Sequence, residues 1–143
     1  MARPRILPGD ITNARAAGID TLVSLLEPAE AATIGLADEL LICADLGITF
    51  LSHPIRDMQL PDPAAFASFT SDLATRLRGG AHIAVHCYAS IGRSGMLACA
   101  TLGHFGYTPE QAITHVSQRR AAPVPDTAEQ TAFIHRIMTH NRS

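Results

Sequence analysis

The chain has 143 residues, of which 47% are hydrophobic and 17% are charged, and its formal net charge is −2. This composition is typical of one globular domain and excludes a disordered chain or a fibrous repeat. All 11 lysine-or-arginine positions are arginine, because the sequence contains no lysine. The missing lysines argue against a Schiff base or a P-loop nucleotide site, and the nearly neutral charge argues against nucleic acid as the main partner.

Cysteine usage and the amino terminus bear on the cellular compartment. Three cysteines, Cys43, Cys87 and Cys99, are too few and too widely spaced for a disulfide scaffold or a four-ligand zinc site. The first ten residues contain no apolar run typical of a signal peptide, and no stretch approaches the length of a membrane span. We therefore expect a cytoplasmic protein that does not associate with membranes, with residues 1–143 forming one domain. The oligomeric state is open, and a monomer is expected.

Short apolar runs alternate with longer segments of helical period along the chain. This pattern predicts a single α/β domain whose central, mostly parallel sheet has four to five strands flanked by helices. In chain order, the elements are a strand at 21–25, a helix at 30–46, a strand at 48–51, a helix at 63–78, a strand at 82–86, and helices at 94–105, 109–120 and 127–140. Asp62 and Thr108 each precede a proline and are predicted to be N-caps, whereas Gly79 and Gly106 mark helix ends.

The segment from residue 83 to residue 102 carries the clearest chemical signal, because it predicts a strand, a tight loop and an apolar helix. A loop that enters a helix N-terminus directs several backbone N–H groups at one point and favours an anion there. Cys87 opens this loop, where the N–H groups and Arg93 would lower the thiol pKa. The Arg93 guanidinium can bind two oxygens of a tetrahedral oxyanion, and Gly92 lets the backbone turn closely around it.

The motif formed by His86, Cys87, five further residues, Arg93 and Ser94 resembles the signature of the protein tyrosine phosphatase superfamily. Segments elsewhere resemble small dual-specificity-like phosphatases: Gly18–Leu26, His53–Asp62 and Thr127–Gln130. The resemblance implies a cysteine-dependent phosphatase that forms a phosphocysteine intermediate and needs no metal or other cofactor. Rhodanese-like sulfur transferases and arsenate reductases also use a cysteine in an anion-binding loop, but the residues after Arg93 fit the phosphatases better.

The resemblance also implies a role for individual residues. Cys87 would attack phosphorus, while Arg93 and the loop N–H groups stabilise the transition-state oxygens. Asp57, thirty residues before the cysteine, would protonate the leaving oxygen and then activate water. Ser94 would donate a hydrogen bond to the departing sulfur, and His86 would brace the loop and help set the thiol pKa. The phosphate-binding positions are Tyr88, Ala89, Ser90, Ile91, Gly92 and Arg93.

Two assignments have competing interpretations. Asp62 is a second candidate for the acid, although its position before a proline suits an N-cap. Gln130 resembles the glutamine that orients the hydrolytic water in related phosphatases, but it also fits a capping box with Thr127. A second capping box, between Asp126 and Glu129, would leave Gln130 to face the pocket. The sequence leaves both interpretations of Gln130 open.

The substrate class rests on the uncharged residues between Cys87 and Arg93. Without lysine there, a highly phosphorylated inositol headgroup is a less natural substrate than phosphotyrosine or another phosphomonoester. The first hypothesis is therefore a phosphatase of phosphotyrosine, with phosphoserine and phosphothreonine also possible, in partner proteins. A phosphatase of a non-protein ester, such as a lipid, a nucleotide or an RNA end, is the alternative. A phospho-binding module without turnover is a third reading that no residue supports.

Overall fold

The computed structural model describes residues 15–33, 38–56, 59–86, 92–120, 124–125 and 127–142. The strands are β1 (Thr21–Ser24), β2 (Thr49–Ser52) and β3 (Ile83–His86). The helices are α1 (Pro28–Thr33), α2 (Glu39–Leu46), α3 (Pro63–Arg78), α4 (Gly92–Gly103), α5 (Pro109–Arg120) and α6 (Ala128–Arg142). The predicted α/β class is confirmed, and each of the three predicted strands forms within one residue of its expected start.

The strands form a parallel sheet in the order β2-β1-β3, and the register places Ser24 beside both Ser52 and His86. All four residues of β1 are buried, as expected for a strand between two neighbours in a covered parallel sheet. Within the described residues the sheet has three strands, so the predicted count of four to five is too high there. Each of the three short apolar runs that were predicted as strands forms one strand.

The single helix predicted at 30–46 is wrong, because the described residues of that segment form two helices. Helix α1 begins with Pro28 at its first position, where the missing N–H costs nothing. Helix α2 follows Asp38 and ends at Gly47, which adopts the left-handed conformation with φ 73°. Residues 34–37 lie outside the described ranges. The helical period continues through the segment, so it did not reveal that a second helix begins after Asp38.

The predicted caps of the later helices are confirmed. The Asp62 carboxylate accepts a hydrogen bond of 2.9 Å from a backbone N–H in the first turn of α3. At the start of α5, the Thr108 hydroxyl accepts from the Gln111 N–H at 3.1 Å, and the Gln111 side chain accepts from the Thr108 N–H at 3.0 Å. This reciprocal pair is a capping box. Each cap satisfies N–H groups that have no acceptor within the helix.

The main core lies around α4, which packs against α3, α5 and α6. Its largest fully buried side chains include Phe66, Leu73, Met96, Leu97, Phe133, Ile134 and Met138. At the start of α4 the packing is especially close, since a Cβ on Gly95 would lie 3.2 Å from the Val124 Cβ. The first turn of α4 is therefore held between the core and the segment that precedes α6. None of the helices in the described ranges combines the length and apolar character needed to span a membrane.

Candidate active site

The carboxyl ends of the three strands lie at one edge of the sheet, where ligands bind in open α/β folds. Each strand is followed there by a segment that contributes one group to a common contact. After β1 comes α1 with Glu30, after β2 comes the backbone of Ile55, and after β3 comes α4 with Arg93. These three groups meet although they lie far apart in the sequence.

Arg93 is the centre of this contact, and its side chain is only 2% exposed. Its Nη1 donates to Glu30 Oε1 at 2.7 Å and to the carbonyl oxygen of Ile55 at 2.9 Å, and its Nη2 donates to Glu30 Oε2 at 3.0 Å. Two parallel charge-assisted hydrogen bonds hold the planar guanidinium in a fixed orientation. The buried arginine therefore connects the segments that follow all three strands.

Glu30 is the site residue that the sequence analysis missed. Hydrogen bonds from Arg93 lower the pKa of this carboxyl below its ordinary value, and its partial burial opposes that shift. The chain did carry a local signal, because a proline at the first helical position and a glutamate at the third are typical of a helix start. That signal predicts only the helix start, since the partner of Glu30 lies 63 positions away in the sequence.

Helix α4 begins at Gly92, two residues before the predicted start, so Arg93 and Ser94 lie in its first turn. Gly92, Arg93 and Ser94 are all buried. The N–H groups of a first helical turn have no acceptor inside the helix and are suited to bind an anion. Arg93 thus belongs to the helix rather than to the end of the loop, and it adds a charged donor close to those N–H groups.

Several predicted site residues lie outside the part of the chain that the structure describes. They are Asp57, Cys87, Tyr88, Ala89, Ser90 and Ile91. His86 is the last residue of β3, and only its backbone is described. The predicted roles of these residues remain predictions. The structure describes the elements on either side of residues 87–91: β3 ends at His86 and α4 begins at Gly92.

The segment that leads to Asp57 is attached to β1 by backbone hydrogen bonds. The His53 N–H donates to the Ser24 carbonyl at 2.9 Å, and the Ile55 N–H donates to the Leu25 carbonyl at 3.0 Å. The half-buried His53 ring also stacks on a helix α3 phenylalanine at 4.6 Å, and burial lowers the pKa of this histidine. The backbone two residues before Asp57 is therefore well anchored. Asp62 caps α3, which favours Asp57 over Asp62 as the acid.

Gln130 forms the capping box that the sequence predicted. Its side-chain oxygen accepts from the Thr127 N–H at 3.2 Å, and its own N–H donates to the Thr127 hydroxyl at 3.1 Å. The residue is 1% exposed. The same segment places Val124 against Gly95 in the first turn of α4, so the start of α6 lies near the candidate site. Capping is thus observed, and a role in orienting water remains a prediction.

Gln111 offers a matched control for Gln130, because it forms the same capping box on the exposed start of α5. We expect Gln130→Ala and Gln111→Ala each to lower the free energy of unfolding by about 1 kcal/mol. Only Gln130→Ala should also lower kcat, by about tenfold, because a glutamine that orients water acts on the chemical step. Denaturation and steady-state kinetics measure both effects. Equal kcat values in the two variants would restrict Gln130 to capping.

The other two cysteines are buried in the interior. Burial raises the pKa of Cys43 to about 11 and that of Cys99 to about 12, so both thiols are protonated at neutral pH. A protonated, buried thiol is a poor nucleophile. Among the described residues, no group of three or more histidine, cysteine, aspartate or glutamate side chains is arranged to hold a metal ion.

Comparisons with known proteins agree with this geometry. The model of a family described as "PTP-SAK: Swiss Army Knife protein, DSP-PTPase phosphatase domain" matches residues 1–141. Human cyclin-dependent kinase inhibitor 3 is 33% identical over 91 residues, which are 62% of this chain and 43% of that protein. The tyrosine-protein phosphatase CDC14 of Saccharomyces cerevisiae is 30% identical over 92 residues, 64% of this chain and 17% of that protein. The matched region is thus less than half the length of these relatives.

Solved structures share the fold. A kinase associated phosphatase whose catalytic cysteine is replaced by serine superposes with a TM-score of 0.84 at 24% identity, covering 94% of this chain and 76% of that one. The active form of Tk-PTP gives a TM-score of 0.79 at 25% identity, covering 94% and 88%. PTPMT1 in complex with PI(5)P gives 0.77 at 17% identity, covering 90% and 82%. Because the family model spans nearly the whole chain, this protein belongs to the PTP-SAK family of dual-specificity-type phosphatase domains, within the protein tyrosine phosphatase superfamily.

Proposed function

We propose that this protein hydrolyses phosphomonoesters, foremost phosphotyrosine and also phosphoserine and phosphothreonine in proteins, through a phosphocysteine intermediate. The observation that carries this proposal is the buried Arg93 in the first turn of α4, the helix that follows the parallel strand β3. Glu30 orients the Arg93 guanidinium by accepting two hydrogen bonds from it. Donors held in place before the reaction stabilise a developing oxyanion without a cost of reorganisation. Cys87 lies six positions before Arg93 in the sequence and is the next residue after His86, the last residue of β3.

In the first step, the Cys87 thiolate attacks phosphorus and the bond from phosphorus to the ester oxygen breaks. Asp57 gives its proton to that oxygen, so that a neutral alcohol or phenol leaves. The side edge of the Arg93 fork, which consists of Nε and the second Nη2 hydrogen, contacts the equatorial oxygens together with backbone N–H groups.

In the second step, a water molecule attacks phosphorus and the Asp57 carboxylate accepts its proton. The bond between sulfur and phosphorus breaks, and the Cys87 thiolate leaves with its charge stabilised by the Ser94 hydroxyl and the helix N-terminus. Inorganic phosphate is released and the enzyme returns to its starting protonation state. In this proposal His86 braces the loop and helps to set the thiol pKa.

The proposal is tested with the purified protein in the presence of a metal chelator. We expect hydrolysis of p-nitrophenyl phosphate that vanadate inhibits, and a higher kcat/KM for a phosphotyrosine peptide than for the matching phosphoserine peptide or a phosphoinositide. Preference for the phosphoinositide would favour the non-protein alternative. Binding of the phosphopeptides without any turnover would indicate a phospho-binding module and contradict the proposal.

The acid is tested by Asp57→Asn, with Asp62→Asn as the control. Loss of a general acid costs about 10²- to 10³-fold, and most for the leaving groups that most need a proton. We therefore expect kcat for a phosphoserine peptide to fall by that factor, with a smaller loss for p-nitrophenyl phosphate. Asp62→Asn changes the cap of α3 and should leave this dependence on the leaving group unaltered. If instead Asp62→Asn gave the large loss for the phosphoserine peptide and Asp57→Asn did not, the acid would be Asp62.

A further inference from the structure

We propose that Gly95 and Val124 are positioning residues for the anion-binding start of α4. The close contact between them sets where the first turn of this helix lies against the backbone of residues 124–125. Arg93 and Ser94 occupy that turn, so the contact acts on an oxyanion through them. The effect on the oxyanion rests on the proposed function. Neither Gly95 nor Val124 touches the substrate or the reacting atoms in this proposal.

The first argument is that the contact lies close to the backbone on both sides. A Cβ on Gly95 would lie 3.2 Å from the Val124 Cβ, 3.5 Å from its Cγ1 and 3.9 Å from the Pro125 Cα. The Val124 Cβ is bonded directly to the main chain, so it cannot rotate out of the way as the end of a long side chain can. Glycine within a helix is unfavourable compared with alanine, because it loses more conformational freedom on folding. The close approach of Val124 gives this glycine a physical reason.

The second argument is that Val124 is itself held in place by helix α5. Its backbone N–H donates to the Ser117 hydroxyl oxygen at 3.1 Å. Its side chain is buried and belongs to the main core. Helix α5 packs in turn against α4. Val124 is therefore fixed between two helices, and it contacts α4 at the turn that carries Arg93 and Ser94.

The third argument is that the first turn of α4 cannot simply move away from a larger residue. All residues from 92 to 97 are buried, and Met96 and Leu97 are fully buried in the main core. Because protein interiors are closely packed, a methyl group added at residue 95 must displace Val124 or the turn itself by a few tenths of an ångström. Donors that stabilise an oxyanion depend on their placement, so a shift of the donors in this turn would weaken oxyanion binding.

Gly103, at the other end of α4, offers a matched control. It is buried in the same helix, and a Cβ there would lie 3.1 Å from the Met138 Cε and 3.3 Å from its Cγ. These atoms belong to a long, unbranched side chain that can adopt another rotamer. Gly103→Ala therefore adds the same methyl group at a similar distance from its neighbour. That neighbour is flexible, and the change lies about 12 Å from Gly95 along the helix axis.

The experiment compares Gly95→Ala with Gly103→Ala. Calorimetry with tungstate, on proteins that also carry Cys87→Ser, measures oxyanion binding without turnover. We expect Gly95→Ala to weaken tungstate binding by about tenfold and to lower kcat/KM for p-nitrophenyl phosphate by about 10- to 100-fold, because small displacements at a reacting centre have effects of this size. Gly103→Ala should leave both values near those of the parent protein. Equal tungstate affinities in the two glycine variants would contradict the positioning role.

A rescue separates positioning from a loss of stability alone. Val124→Gly removes the Cβ and Cγ1 that the new methyl group would meet. The double variant Gly95→Ala/Val124→Gly should therefore bind tungstate more tightly than Gly95→Ala does. A defect of stability alone would not be rescued by a second change that removes core packing. A double variant that binds tungstate no better than Gly95→Ala would contradict the proposal.

Val124→Ala tests the contact from its other side and serves if Gly95→Ala does not fold. This variant keeps the Cβ but loses the Cγ1 methyl group, which lies 3.5 Å from the position of a Cβ on Gly95. The first turn of α4 is then less firmly held, and we expect tungstate binding to weaken by about threefold. Unchanged tungstate affinity in folded Val124→Ala would show that Val124 does not position the turn.

These readouts keep the inference distinct from the proposed function. If the wild-type protein hydrolyses phosphomonoesters while Gly95→Ala and Gly103→Ala have the same kcat/KM and tungstate affinity, the positioning role is wrong and the phosphatase function stands. If the wild-type protein hydrolyses none of them while Gly95→Ala weakens tungstate binding and Gly103→Ala does not, the proposed function fails and the positioning of the anion site stands.

Discussion

Cys87→Ser is expected to lower kcat by at least about 10⁴-fold, because an alcohol replaces the thiol that supplies the nucleophile. A serine hydroxyl ionises far less readily than a thiol, and the helix N-terminus and Arg93 cannot make up that difference. The anion site itself would be unaltered, so the variant should still bind tungstate. Stopped-flow or steady-state kinetics with p-nitrophenyl phosphate measure the loss, and calorimetry measures the retained binding.

Cys43→Ala is the matched control, because it removes a thiol that burial keeps protonated, with a pKa of about 11. This variant should retain wild-type kcat, and iodoacetamide at neutral pH should label Cys87 in preference to the buried thiols. Turnover that survives Cys87→Ser would overturn the covalent mechanism. Loss of activity in Cys43→Ala with an unchanged fold would contradict the assignment of the nucleophile to Cys87.

Arg93→Lys is expected to lower kcat/KM by about 10²- to 10³-fold, the usual cost of removing an oxyanion donor. Lysine keeps the positive charge but lacks the planar fork, so it cannot bind Glu30 through two parallel bonds and also present a second edge to the substrate. The control is Arg119→Lys, which makes the same change at an exposed position on α5. Equal kcat/KM values in the two variants would contradict the role of the fork.

Arg93→Lys should also lower stability, by about 1–3 kcal/mol, since it leaves a buried network without some of its donors. The effect depends on pH in a defined direction. Arg93 lowers the pKa of folded Glu30 below the ordinary value of 4.5, so the pair stabilises the fold above that pH and loses this contribution as the pH falls through the lower folded-state pKa. Urea denaturation should therefore show that the difference in the free energy of unfolding between wild type and variant becomes smaller in acid. A difference that stays constant with pH would contradict this account.

The sequence predicted the elements well where the signal is local. Helix caps such as Asp62 and Thr108 act on N–H groups within the next turn, so the residue types alone identify them. The prediction failed at residues 30–46, because a continuous helical period does not reveal where one helix ends and another begins. It also placed the start of α4 two residues late, because Gly92 and Arg93 were assigned to the loop that precedes the helix.

The chemistry predicted for the site rests on the spacing of its residues. Cys87 and Arg93, on either side of a short segment between a strand and a helix, predict a nucleophile beside an anion, and the family match confirms the class of protein. The roles of Asp57 and Gln130 were weaker expectations, because each depends on the path of a connecting segment. For Gln130 the structure adds an observed capping box, which uses its side-chain oxygen.

The sequence by itself determined the α/β class, and it predicts a phosphate-binding segment after β3 with Cys87 as the nucleophile. Those features follow from apolar periodicity and from residues that are close together in the chain. Only the tertiary structure decided which group orients Arg93. The parallel register brings the ends of β1, β2 and β3 to one edge, and so places Glu30 and the Ile55 carbonyl on the same guanidinium. Contacts between segments so far apart depend on that register, which no local pattern specifies.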